Sequence, residues 1–204
     1  AEKIWAHSWD YDLYLEHRIA SRVKEKYVVA IDSDQVAHSD YVHNNIKPYA
    51  TAEKYYPAMN AFFARLEKET GLPVIIAAHP RGCLEDYKNR YPQNRAIQGQ
   101  TAQLVRDAAL VISHSSTSDS FAVLWDKPML IVTTDELESS SWFPYMEATC
   151  KILKTRRFNL NRLPRKVDWW VSANQPRERY NFYRQQLIKR DGTPERNSWE
   201  LVAD

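Results

Sequence analysis

The stretch "VISHSSTSDSF", from Val111 to Phe121, places several hydroxyl side chains directly after a run of apolar residues. Ser115, Ser116 and Thr117 are consecutive within it. Such a cluster suits three kinds of chemistry: a serine nucleophile, a site for a phosphate group, or the cap of a helix N-terminus. The neighbouring residues favour one of the three.

A nucleophilic serine is the least supported of these hypotheses. The strained turn of an α/β-hydrolase needs small residues beside the serine, whereas His114 and Thr117 flank the serine pair and no glycine is near. Ser116 with Asp119 three residues later is typical of a capping box, worth about 1 kcal/mol. A cap needs only one hydroxyl, and a helix N-terminus also favours an anion. We therefore favour phosphate binding, with Ser116 able to cap while Ser115 and backbone N–H groups face the ligand.

The second candidate is His79 in "AAHPR". Pro80 disfavours a helical conformation for the residue before it, so His79 is expected at the tip of a strand. A histidine there often does no more than bond the backbone. Beside a phosphate site, however, it can contact or protonate a phosphate leaving group. Arg81 would add positive charge, although it suits a solvated surface position equally well.

These residues need a scaffold, and the chain predicts alternating strands and helices. Short apolar runs predict strands at 27–32, 73–80, 96–99, 110–114 and 128–134. Helical patterns lie between these strands. The first is capped by Thr51 and ended by Gly71, and Pro57 marks either a kink in it or a later start. The others cover residues 84–90, 101–108 with Thr101 as the cap, and 119–126. This order predicts an α/β fold: a Rossmann-like parallel sheet flanked by helices, with a C-terminal helical extension.

In such a sheet, ligands bind beyond the carboxyl ends of the strands. Polar residues follow each predicted strand at this edge, and the site candidates beyond His79 and the hydroxyl cluster are Asp32, Gln98, Gly99, Asp135 and Glu136. Their gathering at one edge is stronger support for a site than any one of them alone.

Composition is that of an ordinary globular protein. The 204 residues carry a net charge of +2 and are 44% hydrophobic, with 26% charged. The near-neutral charge gives no reason to expect a nucleic-acid partner. The two cysteines are far apart, which favours reduced thiols in the cytoplasm, and no signal peptide or apolar run near 18 residues is present.

We expect three segments. Residues 1–26 are predicted to be the remnant of a preceding domain or a linker, with a strand-like start, and residues 27–153 form the Rossmann-like domain. Residues 154–204 contain a basic stretch, a polar helix and a tail that pack back on that domain. The basic residues of 154–166 are a candidate membrane-surface contact at the inner membrane, although a run of charge is more often simply solvated.

The pairs His79-Pro80 and Ser115-Ser116, each at a strand tip, resemble the HP and SS motifs of bacterial sialyltransferases and of Kdo transferases that use CMP-activated sugars. Together with "DYDLYL", "GLPVIIAAHPR" and "TAQLVRDAALVISHSSTSDSFAVLWDKPMLIVTTDEL", they make the chain similar to surface polysaccharide biosynthesis proteins over residues 4–137. Those sialyltransferases and Kdo transferases are GT-B-type enzymes with two Rossmann-like domains. The resemblance implies that this chain is the C-terminal, donor-binding half.

The resemblance also implies roles for individual residues. His79 would contact the CMP phosphate and assist its departure, and Ser115 and Ser116 would hold that phosphate. The Gln98–Gly99 loop would take the base through backbone contacts, and Glu136 or Asp135 would bond the ribose. No metal and no cofactor besides the CMP-sugar donor are expected. The acceptor would be an oligosaccharide or a lipid-linked glycan.

One departure concerns the catalytic carboxylate, which in the sialyltransferases lies in an acidic motif of the N-terminal domain. Asp10, Asp12, Asp32 and Asp34 are the acidic candidates here, none within a matching motif; of these we take Asp32. The acceptor site and the base would then lie in a missing N-terminal domain. Two alternatives stay open: a transferase or epimerase for nucleotide diphosphate sugars, with Arg81 or Arg106 on the second phosphate, and a non-catalytic scaffold.

Overall fold

The structure is a computed structural model that describes residues 6–19 and 26–203. The strand-like start expected in the first five residues lies outside this range. No helix in the described part of the chain is both long and apolar enough to cross a membrane.

Six parallel strands form one sheet in the order β3-β2-β1-β4-β5-β6. The strands are β1 Val28–Ile31, β2 Val74–Ala78, β3 Arg95–Gln98, β4 Leu110–Ser113, β5 Met129–Thr133 and β6 Arg157–Asn159. The strand order reverses between β1 and β4, which pair directly. This is the order of the Rossmann fold, and the predicted α/β class is confirmed.

Helices cover both faces of the sheet, and each face has its own apolar core. The helices are α1 Trp9–His17, α2 Ser39–His43, α3 Ala52–Thr70, α4 Tyr87–Arg90, α5 Thr101–Asp107, α6 Asp119–Leu124, α7 Asp135–Glu138, α8 Phe143–Leu153, α9 Trp169–Ala173, α10 Arg177–Tyr183 and α11 Ser198–Ala203. Leu84–Asp86 and Leu160–Arg162 form 3₁₀ turns, and Arg184–Ile188 form a π-helical turn. Helix α3 packs on one face and α5, α6, α8 and α10 pack on the other. The central strands β1, β4 and β5 are therefore buried along their whole length, as is typical of a parallel sheet, whereas the edge strands β3 and β6 are partly exposed.

Helix α3 begins and ends where its sequence predicts, but its first turn is held differently. Its last turn closes on Gly71 in the left-handed region, with φ of 71°. Pro57 lies inside the helix, which already begins at Ala52. Thr51 occupies the N-cap position, yet its hydroxyl does not cap the helix. Similarly, α5 has Gln100 as its N-cap, so the Thr101 cap was wrong by one residue.

The sheet continues beyond residue 153, because β6 adds a sixth strand inside the basic stretch. Its sequence, "RFN", has one apolar residue, Phe158, which is 4% exposed. An edge strand with one buried side chain gives no detectable apolar run, so it was not predicted. The three segment boundaries proposed from sequence stay a prediction.

The two ends of the described chain are tied to each other. His7 Nε2 lies 2.6 Å from the carbonyl oxygen of Arg196, and the backbone N–H of Ser198 donates to Asp12 at 2.8 Å. Tyr11 of α1 is part of the core beneath α5 and α6. The head and the tail therefore pack together on the same face of the domain.

Candidate functional site

A cavity of about 230 Å³ opens at the carboxyl edge of the sheet. Its walls come from the segments that follow β1, β2 and β4, with one further side chain before α8. The lining residues are Ser33, Gln35, His38, Asp40, Tyr41, Ile46, Tyr49, His79, Ser116, Thr117 and Trp142. Since β1 and β4 are the strands at which the order reverses, the cavity lies at the switch point where such sheets bind ligands.

His79 lies in this cavity as the residue directly after β2. Its Nδ1 accepts the backbone N–H of Arg81 at 3.3 Å, so the neutral ring carries its proton on Nε2. The His38 ring meets it edge-on with centroids 4.6 Å apart. Burial, followed by the neighbouring His38, lowers the pKa of His79. The imidazole is therefore a neutral hydrogen-bond donor at pH 7.

Asp32 supports His79 from behind and is not among the residues that line the cavity. It accepts the hydroxyl proton of Tyr87, while the Tyr87 hydroxyl accepts the backbone N–H of His79 at 2.9 Å. Burial raises the pKa of Asp32 to about 6, against hydrogen bonds from Tyr87 and from the N–H of Asp34. These hydrogen bonds hold the backbone of His79 at the end of β2.

The structure separates the two serines of the predicted phosphate site. Ser115 has a φ of 68°, in the left-handed region, and is 8% exposed. Its hydroxyl contacts the Thr149 hydroxyl of α8 at 2.6 Å. Because this backbone conformation turns the side chain toward α8, Ser115 does not line the cavity, in contrast to the predicted pair.

Ser116 and Thr117 do line the cavity. The Ser116 hydroxyl accepts the N–H of Ser118 at 3.2 Å, and Ser118, not Ser116, is the N-cap residue of α6. The N–H groups of Ser115 and Ser116 donate to the Ser113 hydroxyl at 3.0 and 3.3 Å. Those two backbone donors are therefore satisfied inside the protein, and the loop offers the hydroxyls of Ser116 and Thr117 instead.

The Gln98–Gly99 loop lies away from the cavity lining. The Gln98 amide donates to the carbonyl oxygens of His79 and Gly82, both at 2.8 Å. Gly99 is exposed, with φ of 76°. Gln98 thus holds the loop that follows His79.

The three other predicted ligand contacts, Glu136, Arg81 and Asp135, have partners within the protein. Glu136 accepts the backbone N–H of Thr51 at 2.9 Å and its hydroxyl at 3.0 Å, and it pairs with Lys54 at 3.1 Å. Burial opposes the charge, but these contacts outweigh it and lower the pKa of Glu136. Arg81 is exposed and pairs with Asp40 at 2.9 Å. Asp135, the other carboxylate proposed for the ribose, accepts from Asn159 at 2.8 Å.

Most residues of the cavity wall were not predicted from the sequence. The connection from β1 to α3 supplies His38, Asp40, Tyr41 and Tyr49, and Trp142 comes from the segment before α8. The length of that first connection is the signal that could have found them, because long loops at the carboxyl edge often carry function. His114, by contrast, is 1% exposed and lies among core residues.

The sheet order and the cavity at its switch point define a Rossmann-like α/β protein. No protein-family profile and no curated protein sequence matches the chain. Its fold is similar to a crystal structure described as the glycotransferase of kitacinnamycin, with a TM-score of 0.50 and 13% identity. The similarity covers 92% of this chain and 45% of that chain. This chain therefore corresponds to less than half the length of that glycotransferase.

Proposed function

We propose that this chain is the donor-binding half of a GT-B-type glycosyltransferase that uses a CMP-activated sugar such as Kdo or sialic acid. The observation that carries the proposal is the cavity at the β1–β4 switch point, which His79, Ser116 and Thr117 line together. Fold similarity to part of a glycotransferase supports it. The cavity volume of about 230 Å³ is below the roughly 300 Å³ usual for a complete ligand pocket, which suits a site finished by a second domain.

The charge of the cavity favours a donor with one phosphate group. Among the described residues that line it there is no lysine or arginine, and Asp40 is a carboxylate. Arg81 at the loop beside it is engaged by that same Asp40. A pyrophosphate carries two or more negative charges, which hydroxyl groups and the neutral His79 imidazole would balance poorly. A CMP-sugar has a single phosphate diester and so brings only one charge.

In the proposed reaction the bond between the anomeric carbon and the phosphate oxygen breaks, and the electron pair stays on that oxygen. The hydroxyls of Ser116 and Thr117 and the Nε2–H of His79 donate to the departing phosphate and stabilise its growing charge. Because its imidazole is neutral, His79 acts on that oxygen as a hydrogen-bond donor and keeps its proton. An acceptor hydroxyl then bonds to the anomeric carbon, and its proton goes to a base in the acceptor domain.

Calorimetric titration with CMP, UDP and GDP tests the proposal. We expect CMP to bind, and the double variant Ser116→Ala/Thr117→Ala and the single variant His79→Ala to weaken CMP binding by about tenfold or more, since each removes a hydrogen bond to a charged group. Ser139→Ala, at the exposed C-cap position of α7, and His43→Ala, at the exposed end of α2, are the matched controls.

Other results would favour the alternatives. Tighter binding of UDP or GDP than of CMP would point to a nucleotide diphosphate sugar. Binding of none of the three would contradict both enzyme hypotheses and favour a scaffold with the same fold. The proposal also expects a cytoplasmic reaction on a polysaccharide or lipid-linked acceptor, which the titration does not address.

A further inference from the structure

One side of the cavity is made of aromatic rings. Tyr41, Tyr49 and Trp142 all line it, and we call these three residues the aromatic wall. The Tyr41 and Tyr49 rings meet edge-on with centroids 5.1 Å apart, and the Tyr49 and Trp142 rings stack with centroids 5.7 Å apart and an interplanar angle of 26°. The wall is therefore a continuous surface of ring edges and faces.

Hydrogen bonds fix the two ends of the wall. The Tyr41 hydroxyl donates to the carbonyl oxygen of Gln35 at 3.0 Å, and the indole N–H of Trp142 donates to the carbonyl oxygen of His114 at 2.9 Å. His114 directly follows β4 and precedes Ser115, Ser116 and Thr117. The indole is thus anchored to the same strand end that presents Ser116, so its orientation is set without a ligand.

This arrangement suits a planar heterocycle better than a sugar. A sugar ring brings several hydroxyls that need partners when they are buried. At the aromatic wall the Tyr41 hydroxyl and the Trp142 N–H are already used inside the protein, so the wall presents mainly ring surface. A nucleobase gains from such a surface because base–aromatic stacking does not require hydrogen bonds.

We propose that the aromatic wall is the subsite for the nucleobase of the donor, an inference that rests on the proposed function. It replaces the Gln98–Gly99 loop, which does not line the cavity. The base lies against Tyr49 and Trp142, and the phosphate lies toward Ser116, Thr117 and His79, which line the same cavity.

The test compares CMP with ribose 5-phosphate, which keeps the sugar and a phosphate but lacks the base. We expect Trp142→Ala and Tyr49→Ala to weaken CMP binding by about 5- to 150-fold, the range of alanine substitutions that remove base stacking. Ribose 5-phosphate should bind each variant within about twofold of the unaltered chain, because stacking is a property of the base. Trp199→Ala, at a side chain that is 68% exposed on α11, is the matched control.

Folding of each variant is checked by circular dichroism and thermal melting. Trp142→Phe is a second variant for the case in which Trp142→Ala does not fold, because it keeps an aromatic ring but lacks the indole N–H. The CMP affinity of Trp142→Phe should fall less than that of Tyr49→Ala. If the unaltered chain binds no CMP, the proposed function fails, and this inference with it. If CMP binds the chain and both alanine variants equally well, the aromatic wall is not the base subsite while the proposed function stands. An equal loss for ribose 5-phosphate would also contradict the base assignment.

Discussion

The Ser113 hydroxyl donates to the carboxylate of Asp119 and accepts the backbone N–H groups of Ser115 and Ser116, at 3.0 and 3.3 Å. Asp119 is 0% exposed. Burial raises its pKa to about 7, against hydrogen bonds from Ser113 and the Ser116 backbone. The left-handed turn at Ser115 is thus organised around one hydroxyl and one buried carboxyl group, beneath the hydroxyls that line the cavity.

The first prediction concerns the pH dependence contributed by Asp119. Its folded pKa of about 7 lies above the ordinary 3.8, so its stabilising contribution is present below pH 3.8 and is lost as the pH rises toward 7. Asp119→Asn removes this loss while its amide oxygen still accepts from Ser113. We therefore compare the free energy of unfolding of Asp119→Asn with that of the unaltered chain. The difference, variant minus unaltered chain, should rise by roughly 2–3 kcal/mol between pH 4.5 and pH 8.

Urea unfolding at the two pH values measures that difference. Asp126→Asn changes an exposed aspartate just beyond α6 and serves as control; it should show no such gain. A difference between Asp119→Asn and the unaltered chain that stays constant from pH 4.5 to pH 8 would contradict the raised pKa.

The second prediction concerns His114, whose ring joins α3 to β5. Its Nδ1 lies 2.7 Å from the carbonyl oxygen of Val132, so Nδ1 carries the proton and Nε2 accepts the Tyr55 hydroxyl at 2.8 Å. Burial lowers the pKa of His114 to about 4, against the bond to Val132. His114 therefore contributes stability that is lost as the pH falls from about 6.5 toward 4.

Tyr55→Phe leaves the buried Nε2 without its donor, at a cost of about 1–3 kcal/mol at pH 7. Tyr56→Phe, at the adjacent residue of the same helix, is the control and should change the free energy of unfolding by less than about 0.5 kcal/mol. Equal effects of the two variants in chemical denaturation would show that the His114 contact contributes nothing measurable.

The third prediction separates two roles for Glu136. A ribose contact would make Glu136→Gln weaken CMP binding, whereas its bonds to Thr51 predict a loss of stability at the start of α3 instead. We expect the free energy of unfolding to fall by about 1–2 kcal/mol and CMP affinity to stay within twofold. Glu53→Gln, an exposed residue in the first turn of the same helix, is the control. A large loss of CMP affinity with unchanged stability would restore the ribose role.

Strands of the central sheet could be predicted because a buried parallel strand must be apolar along its whole length. The run at residues 73–80 contains β2, and the run at residues 128–134 contains β5. His79 was located the same way, since Pro80 and the end of an apolar run both place it at a strand tip. Edge strand β6 escaped prediction because only one of its side chains is buried.

The orientation of the site residues could not be predicted, since it depends on backbone angles and distant partners. Nothing in the residue type of Ser115 reveals a φ of 68°, and that angle decides which serine lines the cavity. Glu136 and Gln98 are polar residues at the right edge of the sheet, yet each bonds a segment that is remote in sequence. Polar residues at a strand end therefore indicate where a site lies more reliably than which of them face it.

The last prediction tests the support of His79 through Gly82. A Cβ at Gly82 would lie 3.2 Å from the Tyr87 hydroxyl oxygen and 3.3 Å from the carbonyl oxygen of His79. That hydroxyl is held between Asp32 and the N–H of His79, so it cannot move without disturbing the strand tip. We expect Gly82→Ala to lower the free energy of unfolding by about 1 kcal/mol and to weaken CMP binding severalfold.

A double-mutant cycle with Tyr87→Phe tests whether the effect of Gly82→Ala depends on the Tyr87 hydroxyl. Removal of the hydroxyl also removes the close contact at 3.2 Å, so Gly82→Ala should cost less in the Tyr87→Phe background than in the unaltered chain, and the two losses should not add. Cys83→Ala, at the next and exposed position, should leave both stability and CMP affinity near their original values. Additive losses would mean that Gly82 and Tyr87 act independently, and the hydroxyl would then not be what couples the loop after β2 to His79.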